Sequence, residues 1–513
     1  MPDTPFCQIT GSPRFADALN QTFAALQGTN GPGLDHLADH TLQIFVQGGK
    51  WKGCWSQNYF GMCCTTPLLS GRQLDYHLNT LALFFSLQGD GVRQDENGFT
   101  APPGALPEYV TLRNAEPGPR YKNDESSGLA AEFDFWVEGN AASVHSLCDV
   151  LLAKRDLGKT LELLPKIEKC LAFILSRKDP ATGLLQVGPA GTFIERAYGA
   201  TYRSKGVTEY GLPSGAAVNT IQALRLAAEV EEYASRPQQA AFYRQEADDL
   251  QKALARCIEK DSFLINYLDA DGIRHGVPGA DKHSYFEITC NHDAAAWGVV
   301  PEKTAVSILK KILEVSPTPL CPCVWEIHDD SHWSYQTDDA AYGHAGSHWN
   351  GAAWFSSQAR YAYALLKHGF FDEACALAES MQKICASGVM RDVMDLYGKA
   401  PIGDNNPDTV GNYYIDAYGT FGGILRGAGG VEYKADTIRL TPHIPGEAAS
   451  YKQSAPYFWG EKKLFIHTEG TGTQVLSVSV NGQNVDAQFI EGGSVTLDYA
   501  TLPSEAEILF TRM

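Results

Sequence analysis

Apolar residues recur along this chain mostly three and four positions apart, in segments separated by polar loops, which is the spacing of helices with one face buried. The pattern opens over 14–26 and again over 34–46, where Leu34, Leu37, Ala38, Thr41, Ile44 and Phe45 fall on one face, so these segments predict a helical hairpin. A loop dense in Trp, Gln, Asn and Gly follows from Gly48 to Gly71, then a helix over 72–87. The Pro- and Gly-rich stretch from Gly89 to Ser127 is too long for a simple connector and reads as a functional loop. From Asn140 the rhythm is regular, with helices expected at 141–154, 158–177, 214–234, 237–259, 291–299, 302–315, 350–368, 371–386 and 413–427. With the three earlier segments, these nine make about twelve.

Short links such as Asp156-Leu157-Gly158 and Arg236-Pro237 alternate with long loops at 178–212, 260–290, 316–349 and 387–412. Such alternation implies two layers of helices running in opposite senses, with the long loops gathered at one end. No fixed-length repeat is evident, so the helices are expected to close into a ring rather than stack as a solenoid. After Gly430 the chain turns to short β-rich runs broken by Gly, Pro and Asn-Gly turns, at 431–445, 462–470, 474–483, 493–499 and 506–513. A mainly α domain over 1–430 and a small β-sandwich over 431–513 are therefore expected.

Composition narrows the partners. The 513 residues are 44% hydrophobic and 20% charged, and no run approaches the roughly 18 apolar residues of a membrane span. A formal net charge of −19 argues against nucleic acid and against an anionic membrane, because no basic stripe offsets phosphate repulsion. A neutral small molecule fits better, and the 11% of aromatic residues, many in polar loops, point to a carbohydrate, since ring faces pack on the C–H faces of sugars. The N-terminal MPDTPFCQITGSPRF has neither a basic start nor an apolar run, so a cytoplasmic location is the expectation. The 12 cysteines are scattered through helical stretches, where a thiol serves as a small hydrophobe. Cys321-Pro322-Cys323 lacks the second pair that a zinc site needs, so neither metal nor cofactor is expected. Gly-rich nucleotide loops and the Gly-x-Ser-x-Gly elbow are also missing.

The organising stretch is Tyr342–Leu366, where a loop of Gly, His, Ser and Asn carrying Trp349 and Trp354 runs into an apolar helix. Polar and aromatic groups meet there at a helix start, as a sugar-binding cleft requires. His348-Trp349-Asn350-Gly351-Ala352-Ala353-Trp354, with His368-Gly369 and Asp372-Glu373-Ala374 after the helix, resembles a segment of the six-hairpin glycosidases. Thr182-Gly183-Leu184-Leu185 followed by Gly191–Glu195 resembles the loop that often supplies their general acid. Gly429–Pro445 resembles their junction into a C-terminal sandwich. The resemblance covers nearly the whole chain and implies an (α/α)6 toroid of helical hairpins followed by a small β-sandwich. The chain departs from the family where Glu195 stands beside Arg196 instead of Asp beside Trp, and where Asp392 and Asp395 replace a Glu-Asn-Tyr context.

Glycosidic cleavage needs a protonated acid at the leaving oxygen and a carboxylate that activates water or attacks the anomeric carbon. Glu195, among Phe193, Tyr198 and Tyr202, is the candidate acid; the alternative for it is an ion pair with Arg196 or Arg203. Asp392 and Asp395 are the candidate bases by family position, with a helix cap or a pair with Arg391 as the alternative. Trp55, Gln57, Trp136, Glu138, Glu287, His348, Trp349 and Asn350 are candidate sugar contacts. Asp293 reads as a helix-start residue, and the acidic run Glu326–Asp339 as a solvated loop.

The expected activity is hydrolysis of a small glycoside or oligosaccharide, inverting by family resemblance, with no cofactor. Three alternatives remain open at this level: a glycoside phosphorylase on the same scaffold, with phosphate held at His344–Ser347; a sugar epimerase or unsaturated-glycuronide hydrolase using Arg196, Arg203 or Arg391; and a non-catalytic carbohydrate-binding protein. Sugar, anomer, linkage and oligomeric state are set by cavity shape and are not encoded in composition.

Overall fold

A computed structural model describes residues 5–29, 33–48, 53–92, 100–111, 121–124, 129–132, 137–186, 211–269, 271–278, 285–325, 351–387, 393–394, 396 and 414–513. Among these residues there are twelve α-helices: α1 (Pro13–Gln27), α2 (Ser56–Met62), α3 (Gly71–Ser86), α4 (Val137–Lys154), α5 (Leu157–Leu175), α6 (Ser214–Tyr233), α7 (Pro237–Leu254), α8 (Thr289–Trp297), α9 (Glu302–Val315), α10 (Phe355–Lys367), α11 (Phe371–Ala386) and α12 (Ile415–Gly429). The even-numbered helices touch one another in a closed order, α2–α4–α6–α8–α10–α12 and back to α2, while the odd-numbered ones pack outside them. Local chemistry marks the ends. Pro13 opens α1 and left-handed Gly28 closes it, and the Asp156 side chain accepts the Lys159 N–H to cap α5.

The two layers differ in how legible they are. Outer helices such as α9 bury only one stripe, here Thr304, Ala305, Ile308, Leu309 and Ile312. Inner helices are buried on every side: α12 is buried from Ile415 through Gly429, and α10 from Phe355 through Leu366. Glycine permits the closest approach. A Cβ on Gly423 of α12 would lie 2.0 Å from the Ala359 carbonyl oxygen of α10, and one on Gly419 would lie 2.7 Å from the backbone of Gly61 in α2.

One expected helix is replaced by another. Residues 34–46 form a 3₁₀ turn (Leu34–Leu37) and a two-stranded hairpin (Ala38–Asp39 with Ile44–Phe45), not a helix. Asp39 Oδ1 accepts the N–H groups of Thr41 and Leu42, and Gln43 turns with φ 56, which reverses the chain while Leu34, Leu37, Ile44 and Phe45 stay buried. The inner helix of this region is α2, continued by a 3₁₀ segment from Cys63 to Leu68, inside the stretch expected to be a loop. Its Asn58, Tyr59, Phe60 and Met62 are all buried, so it has no polar face to betray a helical period.

After α12 the chain forms two sheets. One has four strands in the order Val431–Tyr433, Thr437–Leu440, Ser494–Asp498, Ile490–Glu491. The other is built on Lys462–Glu469 and Glu505–Arg512, which run parallel, with Ser450–Gln453, Tyr457–Trp459, Val475–Val480 and Gln483–Asn484 around them. Its seventh strand comes from the far end of the sequence: Cys7–Thr10 pairs antiparallel with Ser450–Gln453. Alternation of buried Leu464, Ile466 and Thr468 with half-buried neighbours turns one face inward.

A buried ion pair ties these parts together. Arg426 in the last turn of α12 donates to both carboxylate oxygens of Asp149 in α4, at 2.7 and 2.8 Å. It also donates to the Cys63 carbonyl at 2.8 Å and the Val431 carbonyl at 3.0 Å, so one guanidinium joins α12, α4, the segment after α2 and the first strand of the four-stranded sheet. Both side chains are at least nine-tenths buried. Removing one partner strands the other charge, so Arg426→Met is expected to cost about 3–5 kcal/mol of unfolding free energy, and Asp149→Leu/Arg426→Met less than the sum of the singles. Chemical denaturation reads both quantities; strictly additive losses would show that the two residues act independently.

Candidate active site

The starts of the six even-numbered helices are linked by a continuous chain of contacts. Between α2 and α4, the Ser56 N–H donates to the Glu108 carbonyl and the Leu106 N–H to Asn140 Oδ1 at 2.6 Å. Asn219 of α6 reaches Glu138 of α4, and a Cβ on Gly215 of α6 would lie 3.4 Å from that of Cys290 in α8. The Cys323 backbone then bridges Ile288 before α8 to Ala352 before α10, and the Thr420 hydroxyl of α12 donates to the Phe355 carbonyl of α10. Gln47 closes the circuit by bonding Gly53 before α2 and Ile415 of α12.

Short strands set directly before these helices stitch the long loops to the rim. Gly53–Trp55 pairs with Tyr109–Thr111, Gly211–Pro213 with Tyr267–Asp269, Phe286–Glu287 with Val324–Trp325, and Ala353–Trp354 with Val393–Met394. The residue just before α2, α10 and α12 is aromatic: Trp55, Trp354 and Tyr414. Trp55 is half-buried and packs its ring 4.6 Å from Tyr109, while Trp354 and Tyr414 are nearly covered.

The second residue of each inner helix divides the rim in two. Gln57, Glu138 and Asp416 occupy it on the adjacent helices α2, α4 and α12, whereas α6, α8 and α10 carry the small Gly215, Cys290 and Ser356. The first three residues are polar or acidic; the last three are small and buried. Glu138 is half-buried, accepts a hydrogen bond from Asn219 Nδ2 at 3.0 Å, and would meet a Cβ on Gly215 at 3.2 Å. Asp416 is fully buried, and its charge helps raise the Tyr59 phenol, whose main cause is burial.

Glu287 is 1% exposed and caps α8, with Oε1 accepting the Thr289 N–H and Oε2 the Cys290 N–H, both at 2.8 Å. Burial pushes its carboxyl up to about 8; bonds from Cys290 oppose this, and the charges of Glu138 and Asp293 add to it. Asp293, one turn deeper, lies within an ion pair and is not at the rim. Arg360 Nε donates to it at 2.6 Å, and His292 Nδ1 lies 2.9 Å away. Burial opposes its ionisation, but Arg360 and His292 outweigh that and hold the carboxyl below its ordinary range. The Arg360 guanidinium also stacks over Phe60 at 4.1 Å.

Of the residues singled out from sequence, Trp55 directly precedes α2, Gln57 and Glu138 stand second in α2 and α4, and Glu287 caps α8 near enough to feel the Glu138 charge. Glu195, Asp392, Asp395, Trp136, His348, Trp349, Asn350 and the side chain of Gln57 lie outside the described residues. The strand between Asp392 and Asp395 in sequence, Val393–Met394, is the one paired to Ala353–Trp354 at the start of α10. Sequence reasoning missed Asp416, Asn219, Glu108 and Arg360. Asp416 carried a usable signal: in Tyr414-Ile415-Asp416 it sits second in its helix behind an aromatic loop, as Glu138 does behind Trp136-Val137.

All twelve cysteines are free and buried, and burial pushes the Cys323 thiol up to about 12. Among the described residues no group of three or more His, Cys, Asp and Glu could hold a metal ion, and no helix is long and apolar enough to cross a membrane.

Comparison with solved structures gives the class of fold. A sialidase superposes with a TM-score of 0.55 at 13% identity, over 94% of this chain and 40% of its own. A GH78 family rhamnosidase of Bacillus sp. GL1 gives 0.54 at 14% identity, over 91% and 42%. A GH63 mannosylglycerate hydrolase from Thermus thermophilus, in complex with glucose, gives 0.53 at 14% identity, over 78% of this chain and 99% of its own. The chain thus has a six-hairpin glycosidase-like fold, while spanning under half the length of the sialidase and the rhamnosidase. No protein-family model and no curated protein sequence matches it.

The state of Glu287 has a measurable consequence. A carboxyl that stays protonated to about pH 8 when folded, but ionises near its ordinary 4.5 when unfolded, makes the folded state bind more protons between those limits, so its contribution to stability falls as pH rises through that window. Melting temperatures of the parent protein are expected to fall relative to Glu287→Gln between about pH 5.5 and about pH 8.5. A difference that stays flat over this range would assign Glu287 an unshifted carboxyl.

Proposed function

We propose that the chain is a glycoside hydrolase acting on a small glycoside or oligosaccharide at the rim of the inner helices. In this reading 1–430 form an (α/α)6 toroid and 431–513 a β-sandwich, and the protein works in the cytoplasm without metal or cofactor. The carrying observation is the set of inner-helix starts: carboxylates stand second in α4 and α12, small residues second in α6, α8 and α10, and Trp55, stacked with Tyr109, directly precedes α2. That combination offers hydroxyl acceptors and ring faces for a sugar. The glycosidase-like fold supports the same reading.

Glu195 donates its proton to the glycosidic oxygen as the bond to the anomeric carbon breaks. Asp392 or Asp395 takes a proton from the water that attacks the opposite face, inverting the centre; such a pair stands about 6.5–9.5 Å apart, to admit the water. Support for the base comes from the strand between these two residues, which is paired to the start of α10. Trp55, Trp136 and Trp349 stack on sugar rings, while Gln57, Glu138, Glu287, His348 and Asn350 bond hydroxyls. Glu287 contributes least freely, because both its oxygens already accept backbone N–H groups.

Time-resolved NMR with a panel of aryl glycosides and disaccharides, in buffers with and without phosphate, tests the reaction class. Free sugar of inverted anomeric configuration is expected without phosphate; a sugar phosphate formed only with phosphate would replace this reading with a phosphorylase. Glu195→Gln, and either Asp392→Asn or Asp395→Asn, are each expected to lower kcat by about 10²–10⁴-fold. Glu138→Gln is expected to raise KM more than it lowers kcat. Turnover unchanged in all three acid/base variants would remove the assignment.

A further inference from the structure

A cavity of about 240 Å³ lies between the ends of α8 and α10, the middle of α4 and α6, and the strand Val431–Tyr433. Trp297 and Lys367 are the last residues of α8 and α10, and both line it, as do Arg225 of α6 and His145 of α4. Liquid water takes up about 30 Å³ per molecule, so this space suits a small organic molecule or ion with its hydration. Its wall includes half-buried Gln222, Arg225, Lys367, Glu432 and Lys434, so it opens to solvent.

Its charge is opposite to that of the protein. Four cations, Arg225, Lys367, Arg426 and Lys434, line it against two carboxylates, Asp149 and Glu432, an excess of two positive charges in a chain of net −19. Asp149 and Arg426 neutralise each other, which leaves three lining cations against Glu432, with Glu229 3.9 Å from Lys434. Burial lowers the pKa of both Arg225 and Lys367. Lys367 donates one bond, to the Ala296 carbonyl, and Arg225 two, to the Trp297 carbonyl and Gln251, so both keep further N–H donors. Stabilising helix ends accounts for the position of Lys367. It does not account for Arg225 and Lys434 on the same wall. His145 is 2% exposed, and neither its Nδ1 nor the indole N–H of Trp297 has a partner among the described residues. The two rings meet edge-on at 4.7 Å.

We propose that this cavity binds a small oxyanion, either free phosphate or the phosphate group of a sugar phosphate, between Arg225, Lys367 and Lys434. A tetrahedral anion with several acceptor oxygens matches cationic donors supplied by α6, α10 and the turn after Val431–Tyr433. The site is independent of catalysis at the rim, which lies at the starts of the same helices.

Isothermal titration calorimetry of the whole chain with inorganic phosphate, and separately with glucose 6-phosphate, at ionic strength held constant with chloride, tests it. Saturable one-site binding is expected, weakened about tenfold by Arg225→Gln and by Lys434→Gln, each tenfold being about 1.4 kcal/mol. Lys434 is half-buried and its nearest carboxylate, Glu229, is 3.9 Å away, so its replacement tests the site even if loss of Arg225 disturbs folding. Tighter binding of glucose 6-phosphate identifies the anion as the head of a sugar phosphate, and equal affinity identifies free phosphate. No binding of either probe, or binding that both variants leave unchanged, overturns the proposal; the second outcome would place the anion elsewhere, such as at the rim.

Discussion

The Arg426–Asp149 pair is the constraint on which the architecture turns. A guanidinium deep in the molecule is tolerable only if nearly all its donors are met, and here two carboxylate oxygens and two backbone carbonyls meet them. Those four acceptors belong to separate stretches of chain, so the charge can be satisfied only when α4, α12, the turn after α2 and the first C-terminal strand are all in place. Desolvation cost becomes a selector: compact arrangements that bury the arginine without these partners are penalised, whatever apolar area they cover. A second buried pair, Arg360 with Asp293, does the same for α10 and α8.

Around these pairs the inner helices approach more closely than side chains normally allow. Glycines on α12 set the spacing to α10 and α2, and the gain is a rigid base under the rim. The rim itself is assembled differently, from two- and three-residue strands that tie loops to helix starts. The helix starts thus rest on hydrogen-bonded stitches, and the far end on charge pairs and a polar cavity. The same six helices present two surfaces of opposite character.

How much of this could be read from the sequence follows from burial. Outer helices alternate faces, so their period survives in the sequence, and the alternation of short links with long loops reported which ends meet. Inner helices lack that alternation. Segment 34–46 imitated a helix because Leu34, Leu37, Ile44 and Phe45 do face one core, yet Asp39 bonds its own backbone and turns the chain. Conversely α2 hid within a Trp- and Asn-rich stretch because even its Asn58 is buried. For the site, spacing pointed to Trp55, Glu138 and Glu287, which stand at the starts of α2, α4 and α8, but Asp416 follows only once helix registers are compared. Asp293 looked like a helix-start residue; its pairing with Arg360, 67 positions away, is invisible to local reasoning.

The strand Cys7–Thr10 is held against Ser450–Gln453 at the opposite end of the sequence. On a ribosome adding about 5–20 residues per second, Cys7–Thr10 would wait roughly 20–90 seconds before Ser450–Gln453 emerged, far longer than a hairpin needs to form. Throughout that interval its unpaired edge can template pairing with a neighbouring nascent chain. The long separation of the two strands thus makes the window before they pair a period of risk for exchange between chains.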